Sequence, residues 1–515
     1  MTDTADRSAG AAVPRQDEGP QEQGLDRRLL LIASVVVLGS VLVILDATIV
    51  NVALATLAED FGSPLQTIQW VVTGYTLALA TVIPLSAWAI DRFGAKRTFL
   101  ASIALFVSGS ALAGAAWNVE SLIALRVLQG FGGGLLSPVG MTILTRAAGP
   151  ARVGRVMAVM GVPMLLGPIC GPILGGWLVD DFSWRWIFFI NVPVGALALF
   201  LTWKVLDRDE SHARYTIDWL GVVLLSPGLA ALIYGLAKTG EEGGFGHAAV
   251  LVPVLLGAAA LVAFVVHALH SPAPLVDVRL FANRVFTAAT ATLFLLIISV
   301  FGGMLLLPLY LQAVRGESAM DTGLLLAPQG LGAMIAMPLA GFMADKTGVG
   351  RIVPFGLLAV GAAFLGLTQI EADTSYWLLS GLLFLMGIGM GFAMMPTFTG
   401  AMQTLRRAEV ANASTALNIV QQVGASFGTA VLSVLLASAI ADRVGGGGGI
   451  GAAAPASPEQ QAQVAPLLAD AFGETFWWAL ALVVIAIAVA GVLLPKRKPE
   501  PVDDGPAGEP VVLMH

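Results

Sequence analysis

The 515-residue chain is predicted to be an all-α, multi-pass membrane protein with fourteen transmembrane helices, arranged as two related six-helix halves with an inserted pair between them. Three observations lead there. The composition is 57% hydrophobic and only 12% charged, with charge confined to short clusters between apolar runs, which excludes a water-soluble globular domain. Fourteen of those runs reach the roughly 17–25 residues that a bilayer crossing requires. Glycine- and aspartate-bearing signatures recur at a fixed offset between the first and last parts of the chain.

Residues 1–28 are polar, rich in Gly, Pro and Gln and mixed in charge, which reads as a disordered tail, with the first apolar run serving as targeting signal. The apolar runs follow at about 29–50, 67–89, 98–117, 121–144, 154–178 and 186–205. These form the first half, 29–205. Runs at about 217–237 and 248–270 form the inserted pair within 206–280. The last six, at about 285–311, 321–343, 352–370, 376–400, 413–440 and 475–494, form the second half, 281–494, which includes a Gly/Ala-rich outer loop at 441–474. Residues 495–515 form a second polar tail. An even number of crossings puts both termini on one side, and Lys and Arg select the side. Of 27 such residues, 22 lie in the tails and the loops after even-numbered helices, and Arg185, Lys238, Arg315 and Arg443 lie in the others. The positive-inside rule therefore predicts cytoplasmic termini. The last of the 27, Arg126, falls inside an apolar run.

Residues 161–176 read GVPMLLGPICGPILGG. Gly167, Gly171 and Gly175 recur every four residues, with Gly161 and Gly176 at the ends of the stretch, so one helix face lacks side chains and admits close approach of a neighbour. Pro168 and Pro172 break the backbone ladder beneath that face. Such breaks persist at membrane depth only where neighbouring helices or water satisfy the freed carbonyls. Cys170, the single cysteine, lies in this stretch and forms no internal disulfide.

The repeat is visible in two loops, AWAIDRFGAKR at 87–97 and GFMADKTGVGR at 341–351, with Asp91 and Asp345 254 residues apart. At an offset of 257, GFGGG (130–134) meets GIGMG (387–391), and Gly167 and Gly171 meet Gly424 and Gly428. Internal repeats of this kind mark secondary transporters that rock one half against the other. Gly424-Ala425-Ser426-Phe427-Gly428 also fits the G-x-S-x-G elbow of serine hydrolases, but it sits mid-helix with no strand before it and no Asp/His pair. No GxxxxGK[ST] occurs, metal-ligand spacing is lacking, and no basic patch suggests nucleic acid. The chain is therefore not read as an enzyme, no cofactor is expected, and an ion gradient is left as the energy source.

Two charges lie deep. Asp46, in LVILDATIVNVAL, is 18 residues after Arg28 and 13 before Glu59; Arg126, in LIALRVLQG, is twenty before Arg146. A charge at that depth costs several kcal/mol unless paired or hydrated, so both are read as functional. Amides and aromatics along the runs supply candidate cavity residues: Gln69, Trp70, Tyr75, Asn191, Gln329, Asn418, Gln421 and Gln422.

These motifs together resemble the major facilitator superfamily, and more closely its fourteen-helix drug:proton antiporter family. Ala87 to Phe99 is similar to the family's loop motif GxLaDrxGrkxxl, with Asp91, Arg92, Gly94 and Lys96 in place, although Ala87 stands for the usual glycine and Ala95 for a basic residue. Arg126 and Gly130 match the fourth-helix RxxxG motif. GPICGPILGG resembles the fifth-helix antiporter motif, LDATIVNVAL the first-helix motif, and WRWIFFINVPVG at 184–195 is typical of the family. The resemblance implies a major facilitator fold and proton-coupled export of a small amphipathic molecule. Because Asp46 is the one deep acid and Gln329, Gln421 and Gln422 offer amides, the substrate is expected to be neutral or singly charged. The protein is expected to lie in the bacterial inner membrane as a monomer. The resemblance also implies that Asp46 and Arg126 couple to protons and that Asp91, Arg92, Gly94, Lys96 and Asp345 form a conformational latch. Arg92, Lys96 and Arg97 are suited to hold acidic partners such as Asp207 or Asp209. The fold alone would permit proton-coupled inward symport of a small molecule equally, and a non-transporting membrane receptor is the remaining alternative.

Overall fold

The computed structural model describes residues 27–63, 65–149, 152, 156, 170–171, 174–179, 181–207, 217–242, 244–317, 319–406, 408–444 and 458–495. Among these the chain is helical, with no strand. The first part comprises α1 (Arg27–Val52), α2 (Leu54–Phe61), α3 (Leu65–Ile68), α4 (Trp70–Val82), α5 (Leu85–Phe93), α6 (Ala95–Gly114), α7 (Val119–Ala148), α8 (Trp186–Phe189) and α9 (Asn191–Val205). Two helices follow, α10 (Trp219–Glu242) and α11 (Ala248–His270). The remainder comprises α12 (Arg284–Ala313), α13 (Ala319–Thr347), α14 (Val349–Leu367), α15 (Tyr376–Gln403), α16 (Val410–Val444) and α17 (Pro458–Leu493).

Among the described residues, twelve helices are long and apolar enough to cross a membrane. A thirteenth crossing is the pair α4 and α5, bent by 56° where Ile83 and Pro84 interrupt them. Proline lacks the N–H for the helical ladder and its ring crowds the preceding turn, so the chain turns there. The fifth of the fourteen expected crossings, 154–178, falls largely outside the described residues. The chain is thus a multi-pass membrane protein with up to thirteen candidate crossings among the described residues, one of them in two pieces.

Both parts use the same packing device. A Cβ at Gly130 of α7 would lie 2.5 Å from the Tyr75 carbonyl oxygen of α4, and one at Gly387 of α15 would collide with the Gln329 carbonyl oxygen of α13. Gly132 meets the backbone of Phe106, and Gly389 that of Val360. Each of these partner pairs is itself 254 residues apart, so the spacing found in the motifs extends to the helix contacts. Without side chains in the way, the backbones pack directly against one another.

The loops that carry Arg92, Lys96 and Arg406 lie at one end of the bundle, called here the basic end. There the two parts meet. Ser86 Oγ of α5 and Thr415 Oγ1 of α16 lie 2.7 Å apart, and Ser137 Oγ of α7 donates to Asn418 Oδ1 of α16 at 2.8 Å. The inserted α10 packs on α4 and α16 and so touches both parts, with Tyr234 stacked on Trp70.

Candidate functional site

Asp46 and Arg126, 80 residues apart, are brought together with neither side chain exposed. Arg126 Nη1 donates to Asp46 Oδ2 at 2.5 Å and to Gln129 Oε1 at 2.8 Å. Gln129 Nε2 and Asn191 Nδ2 donate to Asp46 Oδ1 at 2.8 and 2.9 Å. The buried carboxylate therefore accepts three hydrogen bonds, the condition under which a charge is tolerated away from water. Arg126 Nε donates to the Val71 carbonyl at 3.2 Å, which holds the guanidinium to α4. Its Cζ lies 4.1 Å from the centroid of the Tyr75 ring and 5.7 Å from that of Phe188, both cation–π distances.

Local sequence explains this assembly. Arg126 and Gln129 are three residues apart on α7 and so share a face. Asn191 opens α9, whose position is fixed by Ser110 of α6: its hydroxyl accepts from Asn191 Nδ2 at 3.0 Å and donates to the Phe188 carbonyl at 2.9 Å. Asp46 lies two residues before Thr48, and a Cβ on Gly171 would collide with the Thr48 side chain. The described remnant of the glycine ladder thus presses against the helix that carries the carboxylate.

Next to this pair a cavity of about 220 Å³ opens between the two parts. Val43 and Ile44 of α1, Leu79 of α4 and Gly133 of α7 line it, each within about a turn of Asp46, Tyr75 or Gln129. Its polar lining is Ser40, Ser137, Asn418, Gln421 and Gln422; Met141, Met395 and Phe398 supply much of the rest. No charged side chain among the described residues lines it. Ligand pockets commonly enclose roughly 300–1,000 Å³, so the cavity is contracted in this state.

The remaining candidates distribute as follows. Asn418, Gln421 and Gln422 line the cavity, whereas Asn191 and Tyr75 belong to the ion pair. Gln329 donates to the sulfurs of Met386 and Met390 at 3.6 and 3.3 Å. Trp70 stacks on Tyr234, and Gln69 is half-buried at the start of α4. At the basic end, Gly94 has φ 86° and ψ 151°, and Gly348 has 89° and 145°, a conformation that favours glycine. Lys96 Nζ donates to the carbonyls of Trp203, at 2.7 Å, and Leu206, and so caps the end of α9. Asp207, one of the two acidic residues expected to serve Arg92, Lys96 or Arg97, is paired with Arg28. Arg92 lies over Phe93, and Asp91 is half-buried. Asp345 lies on α13, with its side chain outside the description, and Asp209 is not among the described residues. Gly161, Gly167, Pro168 and Pro172 lie outside it too; Gly175 is buried, and Gly176 has open space where a Cβ would stand.

Gln129, Ser110, Ser40 and Ser137 were not among the sequence candidates. Gln129 carried a signal, its three-residue spacing from Arg126 on one helix face; the serines carried none.

A family model for the Major Facilitator Superfamily matches residues 36–429. A multidrug resistance protein B homolog of Mycobacterium tuberculosis is 44% identical over 510 residues, covering 95% of this chain and 94% of its own. The multidrug export protein EmrB of Escherichia coli is 31% identical over 418 residues, covering 81% and 82%. Among solved structures, the proton:xylose symporter XylE aligns with a TM-score of 0.60 at 14% identity, over 91% of this chain and 96% of its own, which shows a shared fold. With a family match spanning most of its length and near full-length relatives above 30% identity, the chain belongs to the Major Facilitator Superfamily, among its multidrug transporters of the EmrB type.

Proposed function

We propose that the chain is a proton-driven exporter of small amphipathic molecules that are neutral or carry one positive charge. The observation that carries this reading is a fully buried Asp46–Arg126 pair one helical turn from a cavity with no charged lining. Proton binding at Asp46 would neutralise the carboxylate and deprive Arg126 of its ionic partner. A buried ion pair broken from one side costs about 3–5 kcal/mol. That is enough to drive a change between two packings of the helices that surround it.

Alternating access follows from the position of the contacts between halves. Ser86 with Thr415 and Ser137 with Asn418 join the halves toward the basic end, and the Lys/Arg distribution supports a cytoplasmic position for that end. In this reading the structure has its cytoplasmic side closed, both termini lie in the cytoplasm of a bacterial cell, and Asp46 exchanges its proton with the outer side. The pair and the cavity are both built within one chain, which suits a monomer. The proton gradient is the only energy source required, with no cofactor.

Purified protein in proteoliposomes, with a pH gradient as the sole driving force, tests the proposal. Uphill movement of tetraphenylphosphonium that collapses with an ionophore, accompanied by counterflow of protons, is the expected result. Equal fluxes with and without the gradient would refute proton coupling.

A further inference from the structure

Tyr75 stands between the ion pair and the cavity, and its hydroxyl has no hydrogen-bond partner among the described residues. The side chain is 2% exposed, and its oxygen is a buried polar atom without a hydrogen bond. A polar group in that position costs about 1–3 kcal/mol, so it is retained at the expense of stability. The ring face lies against the Arg126 guanidinium, whose Nη2 is also buried without a partner. At its other end the hydroxyl points to Gly133: a Cβ placed there would lie 3.0 Å from it. Gly133 is part of the cavity wall. Gly133, which has no side chain, thus borders both this oxygen and the space where cargo would bind. The ionisable groups that face Tyr75 are Asp46 from α1 and Arg126 from α7.

We propose that Tyr75 is a positioning residue through which cargo in the cavity acts on the Asp46–Arg126 pair: its hydroxyl binds a hydrogen-bonding group, from the cargo itself or from water that enters with it, and its ring transmits the change to the guanidinium. The inference rests on the function proposed above and adds a route by which binding and proton release communicate. Satisfying the hydroxyl draws the tyrosine toward the cavity and away from Arg126. Freed from the ring face, the guanidinium closes on Asp46, and the proton that Asp46 carries in the proton-loaded protein passes to water, without any direct contact between cargo and carboxylate.

Proton release on cargo addition to the purified, detergent-solubilised protein in weakly buffered solution is the measurement. Two probes are used: tetraphenylphosphonium, which has no hydrogen-bonding group, and chloramphenicol, a neutral molecule with several. Tyr75→Phe keeps the ring and the cation–π contact and removes only an unsatisfied oxygen, so it should melt at or above the wild-type temperature. It is expected to bind both probes and to lower the protons released per probe bound by about threefold to tenfold, the range set by one hydrogen bond. Loss with both probes assigns the partner to water, and loss with chloramphenicol alone assigns it to the cargo. Gly133→Ala leaves the hydroxyl in place but interposes a methyl group; it should reproduce the loss, and Tyr75→Phe added to it should have no further effect. Unchanged release from Tyr75→Phe with both probes overturns the inference, as does a lowered melting temperature, which would make the hydroxyl a structural tie. Absence of release from the wild-type protein would instead strike the proton-coupling reading.

Discussion

Arg126 holds Asp46 through a 2.5 Å contact in which neither side chain has any exposed surface. The equivalents in the second half, by the repeat offsets, are Val300 and Leu383, both buried and apolar. The deeply buried charge pair therefore has no counterpart at the equivalent positions of the second half, and on the function proposed above the coupling chemistry belongs to the first.

Asp46→Asn should abolish pH-driven export and lower stability by up to about 3–5 kcal/mol, because the guanidinium stays buried without a countercharge. The added exchange Arg126→Gln should recover most of the melting temperature and none of the coupling. Thermal melts in detergent and proton-gradient transport in vesicles read the two effects separately. Full pH-driven transport by Asp46→Asn would remove the carboxylate from the mechanism.

Gly94 and Gly348 have nearly the same backbone angles at the corresponding loops of the two halves. Alanine at either position is expected to cost about 1–3 kcal/mol, since a side chain is strained at this positive φ. If the two loops share the switching load, each variant slows turnover. Equal stability and rates in Gly94→Ala and the parent would show that the backbone there relaxes freely.

The loop around Asp91 is expected to set a balance between conformations and not to bind cargo. Asp91→Ala should change the transport rate while leaving the tetraphenylphosphonium dissociation constant within about threefold. A much larger loss of binding, with the distribution of conformations unchanged, would contradict the latch.

Divalent cationic antiseptics should be poor substrates. Among the described residues the cavity lining contains hydroxyls, amides and thioethers but no carboxylate, and Asp46 is paired with Arg126. A second positive charge would stay uncompensated, at a cost of several kcal/mol. Efflux of a dication and its monocation analogue from the same cells should differ by at least tenfold, which is about 1.4 kcal/mol. Equal rates would call for a second acid at the site.

What the sequence by itself determined is what local composition encodes. Apolar runs of bilayer length, the bias of Lys and Arg toward alternate loops, the repeat of Asp91 at Asp345 and the two charges stranded in apolar runs are all legible along the chain. A charge surrounded by Leu, Val and Ile stands out whatever the fold, because the cost of burying it is a property of the segment. The bend at Pro84 and the left-handed turn at Gly94 have equally local causes.

Only the tertiary structure decided which side chains meet. It gave Gln129 and Asn191 to Asp46, moved Tyr75 from the cavity lining to the face of Arg126, turned Gln329 toward Met386 and Met390, and set Lys96 on the carbonyls of Trp203 and Leu206. In a soluble helix an apolar stripe shows which face is buried; these helices are apolar on nearly all sides, so the sequence carries little record of how each is rotated. That rotation is fixed by close backbone contacts at glycines such as Gly130, Gly132 and Gly171, and by polar groups that must find partners across helices in the absence of water.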